Sequence, residues 1–414
     1  MVAAPARAAV LTLAEVERCV VANDAASASK AETEAAAADL EAAGSGRRPV
    51  ITLNTDASLA PGGHLVDVTS ADGQHFLVQG SHTIRQSGAF DPVVRFGSVA
   101  SVQATLFDFG RTASHIRAAE HRLRSNHSDA EAIRAENLRA AREAYLAWTV
   151  AYARLDIAER HARAVHAQAQ AIRGSIAEGT SPPGKENAAR EAEATVEIET
   201  LDATGDLERA AIAVRHIVGA SWTPLSTPDL TFLDAPAVGS SSRTSFDAMA
   251  LDEQAAASSA LAESLVRDHA PLFTASGDLG VRGQDDSVFP VYRVGVVLTV
   301  PIWDGGLGSA QARAAQARSD QLRAEARSLL KASRDARERT AAELARATAR
   351  LDAARRLQRL AQDDLDQARE RYRLGAADLR ALFDAYERLA RAEDRELSAK
   401  ADCIGAPIGS PGPR

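Results

Sequence analysis

Four stretches of the sequence alternate apolar and polar residues, which is the pattern of a β-strand with one apolar face. In the first, residues 51–59, isoleucine, leucine and alanine alternate with threonine, asparagine, aspartate and serine. The same alternation returns in residues 94–106, 273–279 and 292–302. The stretch from Pro61 to Pro92 is mostly polar with several glycines, and we expect a long surface loop there. The pattern therefore predicts four strands, grouped in two pairs.

Each strand pair is followed by segments with a helical pattern of unusual length. No proline interrupts residues 108–173 or 304–374, and at 1.5 Å per residue each segment forms a helix of about 100 Å. A glycine then ends each helix, and a second helical segment follows, at 185–218 and after Gly375. Apolar residues keep a heptad spacing in the later helix. They are Leu344, Ala347, Leu351, Ala354, Ala361, Leu365, Ala368 and Tyr372. The sequence thus predicts two long helical hairpins.

The strand-to-helix junction occurs twice, which indicates an internal duplication. An aromatic residue followed by aspartate and glycine ends the second strand in residues 106–111, and the same pattern ends the fourth strand in 301–306. Asp108 and Asp304 are 196 positions apart. The same shift relates the glycines that end the two long helices, at positions 179 and 375. We expect two copies of one structural unit that share a fold.

The junction residues have a structural interpretation that we favour over a ligand-binding one. Asp108 and Asp304 are expected to cap the helices that follow them, and each such cap contributes about 1 kcal/mol. The glycines let the backbone bend where a strand becomes a helix. They are Gly110, Gly305 and Gly306.

The duplication and the changes in composition divide the chain into five segments. Residues 1–48 form an N-terminal helix and equatorial segment. Residues 49–221 are the first repeat, and 246–405 the second, each with two strands and a long helical hairpin. Residues 222–245 are rich in proline, serine and threonine and are predicted to link the repeats. Residues 406–414 are predicted to form a disordered tail.

Composition and charge exclude several classes of function. The net charge is −8, which argues against nucleic acid as a partner, because such affinity comes mainly from cationic contacts to phosphates. The two cysteines have neither metal nor disulfide spacing. The sequence offers no catalytic constellation, no phosphate-binding glycine loop and no metal-ligand set. We therefore expect no cofactor and no enzyme activity.

The four predicted strands raise the question of what covers their apolar faces. The sequence has no run of 18 apolar residues, which a membrane-spanning helix would need, but a barrel strand needs only about 9 to 11 alternating residues. Four strands leave open edges that one chain alone cannot place in lipid. Several copies side by side could close a barrel, with one strand face toward lipid and the other toward water.

The sequence resembles the outer-membrane efflux protein family, also called the TolC family. The resemblance covers nearly the whole chain and is carried by residues 11–13, the paired junctions 106–111 and 301–306, and the motif at 372–375 followed by 384–385. It implies an α+β membrane protein with internal duplication. Three chains would form an outer-membrane β-barrel with four strands per protomer, continued by a long α-helical barrel in the periplasm.

The resemblance also implies a function, an export duct of a tripartite efflux or type I secretion system for small molecules or proteins. Its partners would be two further copies, outer-membrane lipid, a periplasmic adaptor and an inner-membrane transporter. The helical tips that would contact the adaptor contain Gly179, Thr180, Gly375 and Ala376.

The resemblance names gate residues near those tips, where this chain departs from the family pattern. The candidates are Asp384, Tyr372 and Lys185. A ring of Asp384 carboxylates at a narrow mouth would attract cations. Ala377 and Ala381 occupy positions where some members carry charged residues, which leaves a gate held by packing alone or one that is open at rest.

Two other functions compete with the channel. A periplasmic adaptor also has a long helical hairpin, but it has one hairpin with β-modules split around it, and the repeated junction argues against that arrangement. A soluble coiled-coil scaffold would leave the four alternating strands unexplained.

The N-terminus lacks a complete secretory signal. Arg7 is its one early cation, and the apolar segment from Ala8 to Ala14 is short. Residues 6–8 match the small-x-small end of a cleavage site, which suggests that the sequence starts within a signal.

Overall fold

The computed structural model of the chain describes residues 10–21, 24–61, 65–69, 75–79, 92–218, 227–234, 243–284 and 287–408. The proposed cleavage site at residues 6–8 lies outside these ranges. The chain divides into two compact units. The strand unit comprises residues 36–123 and 254–321, and the helical unit comprises residues 1–35, 124–253 and 322–414.

The elements follow the duplication. The first half contains β1 (Val10–Leu11), α1 (Leu13–Val21), α2 (Asp24–Ser45), β2 (Val50–Pro61), β3 (Leu65–Thr69), β4 (His75–Gln79), β5 (Pro92–Phe107), α3 (Arg111–Ala177) and α4 (Lys185–Val218). The second half contains β6 (Thr227–Pro228), α5 (Arg243–Arg267), β7 (Leu272–Gln284), β8 (Ser287–Thr299), α6 (Leu307–Arg373) and α7 (Leu379–Ile408).

The four predicted strands form one antiparallel sheet in the order β2-β5-β7-β8. β2 pairs with β5 over its whole length, from Val50 opposite Gln103 to Pro61 opposite Pro92. β7 and β8 pair as a hairpin, and β5 joins the two pairs by lying beside β7. The sheet therefore places the two repeats side by side, with β2 and β8 at its edges.

The predicted surface loop between Pro61 and Pro92 is wrong in part. β3 and β4 pair there as an antiparallel two-stranded sheet. In β3 the apolar residues Val66 and Val68 flank Asp67, and in β4 three apolar residues follow one another, Phe76, Leu77 and Val78. The surrounding glycines and polar residues concealed this local signal.

The helical unit has a core in which one tyrosine joins three segments. The Tyr145 hydroxyl of α3 donates to the Leu11 carbonyl oxygen at 2.9 Å, and it accepts from the Asp229 amide at 3.0 Å. Burial raises the pKa of Tyr145, so the hydroxyl keeps its proton and remains a donor. The rings of Trp148 and Phe232 pack edge-on against it.

The predicted linker at 222–245 is partly structured. β6 pairs in parallel with β1, and a 3₁₀ helix from Leu230 to Asp234 buries Phe232 in the core. α5 then begins at Arg243. Proline, serine and threonine dominate the composition of this segment, but Phe232 and Leu233 pack against the core and hold the segment there.

The N-terminal helical segment is described as α1 and α2, and residues 22–23 between them lie outside the described ranges. α3 ends at Ala177, close to the glycine at 179 that the sequence predicts as its end. The C-terminal end differs from its sequence prediction. α7 continues to Ile408, so the tail predicted from residue 406 is helical at its start. The reason is burial, because Ile408 packs in the same core as Tyr145.

Candidate functional site

The register of the sheet gathers most of its apolar residues on one face. Side chains that face each other across an antiparallel pair lie on the same side of the sheet, so the pairings of the four strands define the two faces. The apolar face carries Ile51, Leu53, Ala57, Leu59, Val94, Phe96, Ala100, Val102, Ala275, Leu279, Val281, Val288, Tyr292, Val294, Val296 and Leu298. Many of these side chains are exposed, and Val294 is 90% exposed. This face is far more apolar than the surface of a soluble monomer would be.

The opposite face of the sheet is mostly polar and contains ionised groups. Arg293 Nη2 lies 2.7 Å from Asp278 Oδ2 in the neighbouring strand. Gly97 sits between Asp56 and Arg282, and a Cβ atom there would be 3.1 Å from the Asp56 carboxylate and 3.2 Å from Arg282 Cγ. A glycine at this position leaves room for both charged side chains. The apolar face thus suits an apolar environment, and the opposite face suits water.

The two strand-to-helix junctions have the same hydrogen bonds. Asp108 accepts from the Gly110 amide at 3.1 Å and from the Thr112 amide at 2.6 Å. Asp304 accepts from the Gly306 amide at 2.8 Å and from the Gly308 amide at 2.6 Å. Both aspartates therefore cap the first turn of the helix that follows.

Each junction also turns through the left-handed backbone region. Gly110 has a φ of 87°, and Gly305 and Gly306 have φ values of 75° and 85°. Phe109, which matches Gly305, adopts a φ of 53°, an uncommon value for a bulky residue. Its ring packs edge-on against Phe107, with a centroid distance of 4.6 Å.

The capping bonds keep both carboxylates ionised. Burial alone would raise the pKa of Asp108, but hydrogen bonds from Thr112 and Gly110 and the charge of Arg111 lower it overall. The Gly308 amide lowers the pKa of Asp304 most, with further help from Gly306 and His269. Stability from a lowered carboxyl pKa is present above the ordinary value near 3.8 and is lost in more acidic solution.

A two-residue turn between α5 and β7 contacts both junctions, which the sequence did not predict. Asp268 pairs with Arg111 of the first junction at 2.8 Å, and His269 Nε2 lies 3.3 Å from Asp304 of the second. Arg111 also donates to the Asp268 carbonyl oxygen at 2.9 Å. The sequence contains only a weak signal for these two contacts, an acidic residue and a histidine just before a predicted strand.

In the helical unit, the tips of the two hairpins have equivalent caps. Gly179 has a φ of 74° and donates to the Ile176 carbonyl, and the Thr180 amide donates to the Ser175 carbonyl at 2.9 Å. At the second tip Gly375 has a φ of 71°, and the Ala376 amide donates to the Arg371 carbonyl at 2.8 Å. Both are Schellman motifs, in which glycine at the left-handed position ends a helix.

The three candidate gate residues lie in two places. The Lys185 ammonium lies 5.3 Å from the centroid of the Tyr372 ring, within the range of a cation–π contact. Asp384 is exposed on α7 and lines a cavity of about 190 Å³ with His161 and Arg380. The lining of that cavity includes neither Lys185 nor Tyr372.

Ion pairs accompany the apolar packing near these tips. Arg173 donates two hydrogen bonds to Glu193, at 2.8 and 2.9 Å. These bonds, together with His166, lower the pKa of Glu193 to about 2. Their stabilisation is complete above pH 4.5 and is lost as the pH falls toward about 2, so the pair is intact in neutral solution. The ion pair thus joins α3 to α4, the two helices of the first hairpin.

The predicted heptad in α6 packs as expected. None of its eight apolar positions is exposed, and Ala347, Ala354 and Leu365 are buried. Leu365 packs against Leu382 and Tyr386 of α7. The hairpin between α6 and α7 is therefore held by an apolar seam.

Two kinds of site are absent from the described part of the chain. There, no group of three histidine, cysteine, aspartate or glutamate residues is placed to hold a metal ion. No described helix contains an apolar segment long enough to cross a membrane.

Comparison with known proteins shows which family the chain is similar to. Residues 21–220 match the family model described as outer membrane efflux protein. The match covers 200 of the 414 residues, so this part of the chain is similar to the outer membrane efflux protein family. Members of the family are outer-membrane channels of tripartite efflux systems and not enzymes. A search of the curated proteins found no significant match.

Solved structures share the fold of this chain. A structure of CusC, from work on folding and transmembrane channel formation, has a TM-score of 0.78 and 17% identity, covering 96% of this chain and 90% of its own. The CmeC outer membrane channel of Campylobacter jejuni has a TM-score of 0.76 and 14% identity, with 95% and 83% covered. The outer membrane protein VceC of Vibrio cholerae has a TM-score of 0.74 and 18% identity, with 96% of each chain covered.

The capping role of the junction aspartates predicts an effect on stability alone. Asp304→Ala removes two amide hydrogen bonds from the start of α6, and we expect a lower thermal unfolding midpoint with an unchanged range of transported solutes. Thermal unfolding and a panel of solute fluxes measure the two properties. Asp352→Ala, at an exposed position within α6, is the control and should leave both unchanged. An altered solute range at normal stability would contradict the capping role.

Proposed function

We propose that three copies of this chain close a twelve-stranded barrel in the outer membrane and a helical tunnel in the periplasm. The assembly is a passive export duct, and its energy comes from an inner-membrane transporter joined to it by a periplasmic adaptor. The cargo is a small molecule or an exported protein. The observation that carries the proposal is the exposed, mostly apolar face of the four-stranded sheet, whose opposite face is mostly polar.

The edges and length of the sheet support barrel closure. Among the described residues, β2 and β8 each pair on one side only. Open strand edges are not stable in lipid, so β8 of one copy is expected to pair with β2 of the next. β7 and β8 have 13 residues each, and at about 3.3 Å per residue and a tilt of about 45° they span about 30 Å. That is the thickness of the hydrocarbon core of a bilayer.

The hairpin tips support a contact with the adaptor. Gly179 and Gly375 end their helices with the same backbone hydrogen bonds, so both hairpins present short capped loops, with Thr180 and Ala376 as the next residues. In the proposed trimer the tips of the two repeats would alternate around a ring. Because both tips have the same local geometry, copies of the adaptor could contact each of them in the same way. The Lys185 and Tyr372 contact would then hold the first tip against the second and restrict the opening.

Reconstitution tests the proposed duct. The purified chain should have the mass of a trimer in detergent by light scattering with detergent subtracted, and it should produce discrete conductance steps in planar bilayers. The apolar sheet face gives the reason, because it is covered only when the protein is in lipid or detergent. A monomer that is indifferent to detergent and leaves bilayers silent would overturn the proposal.

The exposed carboxylate of Asp384 gives a prediction about ion selectivity. Three copies would place three such carboxylates around the mouth, which favours cations. Asp384→Asn should therefore shift the reversal potential in a salt gradient toward zero. Asp384→Lys should shift the reversal potential further in the same direction, because it replaces each negative charge with a positive one. Asp352→Asn, which removes the same charge from α6, serves as the control. Equal shifts in Asp384→Asn and the control would show that Asp384 does not line the gate.

The alternatives of an adaptor and a soluble scaffold are not favoured. A soluble scaffold has no use for an exposed apolar sheet face, and an adaptor has one hairpin where this chain has two.

A further inference from the structure

The exposed apolar face of the sheet ends beside two arginines that lie in the turn between α2 and β2. Arg47 and Arg48 are exposed, and their backbone amides are fixed by hydrogen bonds to the carbonyl oxygens of Gly44 and Ser45. No ion pair of either side chain occurs among the described residues. The backbone of both arginines is thus fixed, and among the described residues neither guanidinium group has a carboxylate partner.

The register places these arginines at the level of the strand-to-helix junctions. They directly precede β2, whose first residue, Val50, lies opposite Gln103, and β5 continues from there to Phe107. Gly46 packs against the first turn of α3, since a Cβ atom there would be 3.4 Å from Thr112. The arginine pair therefore lies where the strands end and the helices begin.

Neighbouring arginines at this level are already paired. Arg111 is bound to Asp268, and Arg267 lies 3.5 Å from Glu263. The positive charge left over at the ends of the strands is thus concentrated on Arg47 and Arg48.

Large apolar side chains are exposed at the same end of the sheet. Ile302 and Trp303, which follow β8, are 93% and 83% exposed, and the paired rings of Phe107 and Phe109 are about half exposed. Aromatic residues at the rim of an apolar band are typical of the interface between lipid headgroups and acyl chains.

We propose that Arg47 and Arg48 bind the phosphate groups of anionic phospholipids in the leaflet on the helix side of the barrel. The inference rests on the proposed function, since it requires the sheet to lie in a bilayer. Guanidinium groups form paired hydrogen bonds with phosphate oxygens, and Trp303 and the phenylalanines would occupy the adjoining headgroup boundary. Closure of the barrel would bring Trp303 of one copy toward the arginines of the next, because β8 and β2 are the two edges. The site fixes the depth of the barrel in the membrane.

A simpler role for these arginines is to stabilise the end of α2, where cations are favoured. That role is independent of lipid composition, whereas the phosphate site is not. The two roles can therefore be separated by changing the lipid.

The test reconstitutes the full chain in vesicles of phosphatidylethanolamine, and in the same vesicles with one lipid in five replaced by phosphatidylglycerol. Lipid retained by the protein is measured by native mass spectrometry, and depth by quenching of the Trp303 fluorescence, with the other two tryptophans, Trp148 and Trp222, replaced by phenylalanine. The wild-type chain should retain phosphatidylglycerol preferentially and hold Trp303 at a fixed depth. Arg47→Gln combined with Arg48→Gln should reduce the preference about fivefold for each arginine.

Three further samples make the result specific. Arg47→Lys with Arg48→Lys keeps the charge and should retain most of the preference, so it also serves if the glutamine variant fails to fold. Arg356→Gln with Arg359→Gln removes the same charge from exposed positions on α6 and should change nothing. Inorganic phosphate added to wild-type protein should not displace the lipid, and displacement would show a site for the free anion instead.

The outcomes distinguish this inference from the proposed function. Wild-type protein that conducts but retains both lipids equally would overturn the lipid site and leave the channel standing. An unchanged preference for phosphatidylglycerol in the variant with both Arg47→Gln and Arg48→Gln would also overturn the lipid site and leave the channel standing. A chain that integrates into neither type of vesicle would overturn the channel and the lipid site together.

Discussion

Val294→Arg is expected to prevent integration of the protein into membranes. Val294 lies near the middle of β8 and is 90% exposed on the apolar face, opposite Gly277 of β7. An arginine on the lipid-facing side near the bilayer midplane costs about 2–4 kcal/mol, and a trimer would carry three of them. Flotation with vesicles should leave the variant in the soluble or aggregated fraction, and bilayers should show no conductance steps.

The neighbouring residue offers a control at the same depth. Gly295 lies on the polar face, opposite Ser276, and an added Cβ atom there has no neighbour within 4 Å, so Gly295→Arg adds the same charge on the polar face. We expect it to integrate and to conduct with altered ion preference. Equal behaviour of the two variants, in either direction, would contradict the assignment of the two faces.

Loss of the Tyr145 side chain should have the second large effect, on the helical unit. Tyr145→Phe keeps the aromatic packing and leaves the Leu11 carbonyl and the Asp229 amide without their partner, which costs about 1–3 kcal/mol of unfolding free energy. Tyr145→Ala also opens a cavity at a fully buried position, and the total cost is about 3–5 kcal/mol. Denaturant unfolding measures both costs.

Hydrogen exchange shows where the loss of Tyr145 acts. The amides around Leu11 and Asp229 should lose protection in Tyr145→Phe, because the shared hydroxyl holds β1 and β6 to α3. Tyr152→Phe, at a half-buried tyrosine about two helical turns away on α3, is the matched control and should change stability little. If Tyr152→Phe lowers the unfolding free energy as much as Tyr145→Phe does, the hydrogen bonds that join α3 to Leu11 and Asp229 are not the source of that stability.

Much of the strand unit could be predicted from the sequence. The alternation of apolar and polar residues has a period of two, so it fixes which side chains share a face before any partner strand is known. The same holds for the capping bonds of Asp108 and Asp304, which join residues two and four positions apart. The heptad of α6 is likewise a local pattern, and each of its eight apolar positions is buried or half-buried in the structure.

Contacts between residues far apart in the chain could not be predicted in this way. Asp268 and His269 reach the two junctions only because α5 ends beside both of them, and the sequence around them has no period that reveals it. Lys185 and Tyr372 meet across 187 positions for the same reason.

The sequence by itself therefore determined the strand faces, the helix caps and the duplication, because each depends on interactions within a few residues. Only the tertiary structure decided that β5 and β7 join the two repeats, that Phe232 binds part of the apparent linker to the core, and that Arg47 and Arg48 lack a carboxylate partner in the described part of the chain. These features depend on which distant segments come together, and local patterns of polarity carry no information about that choice.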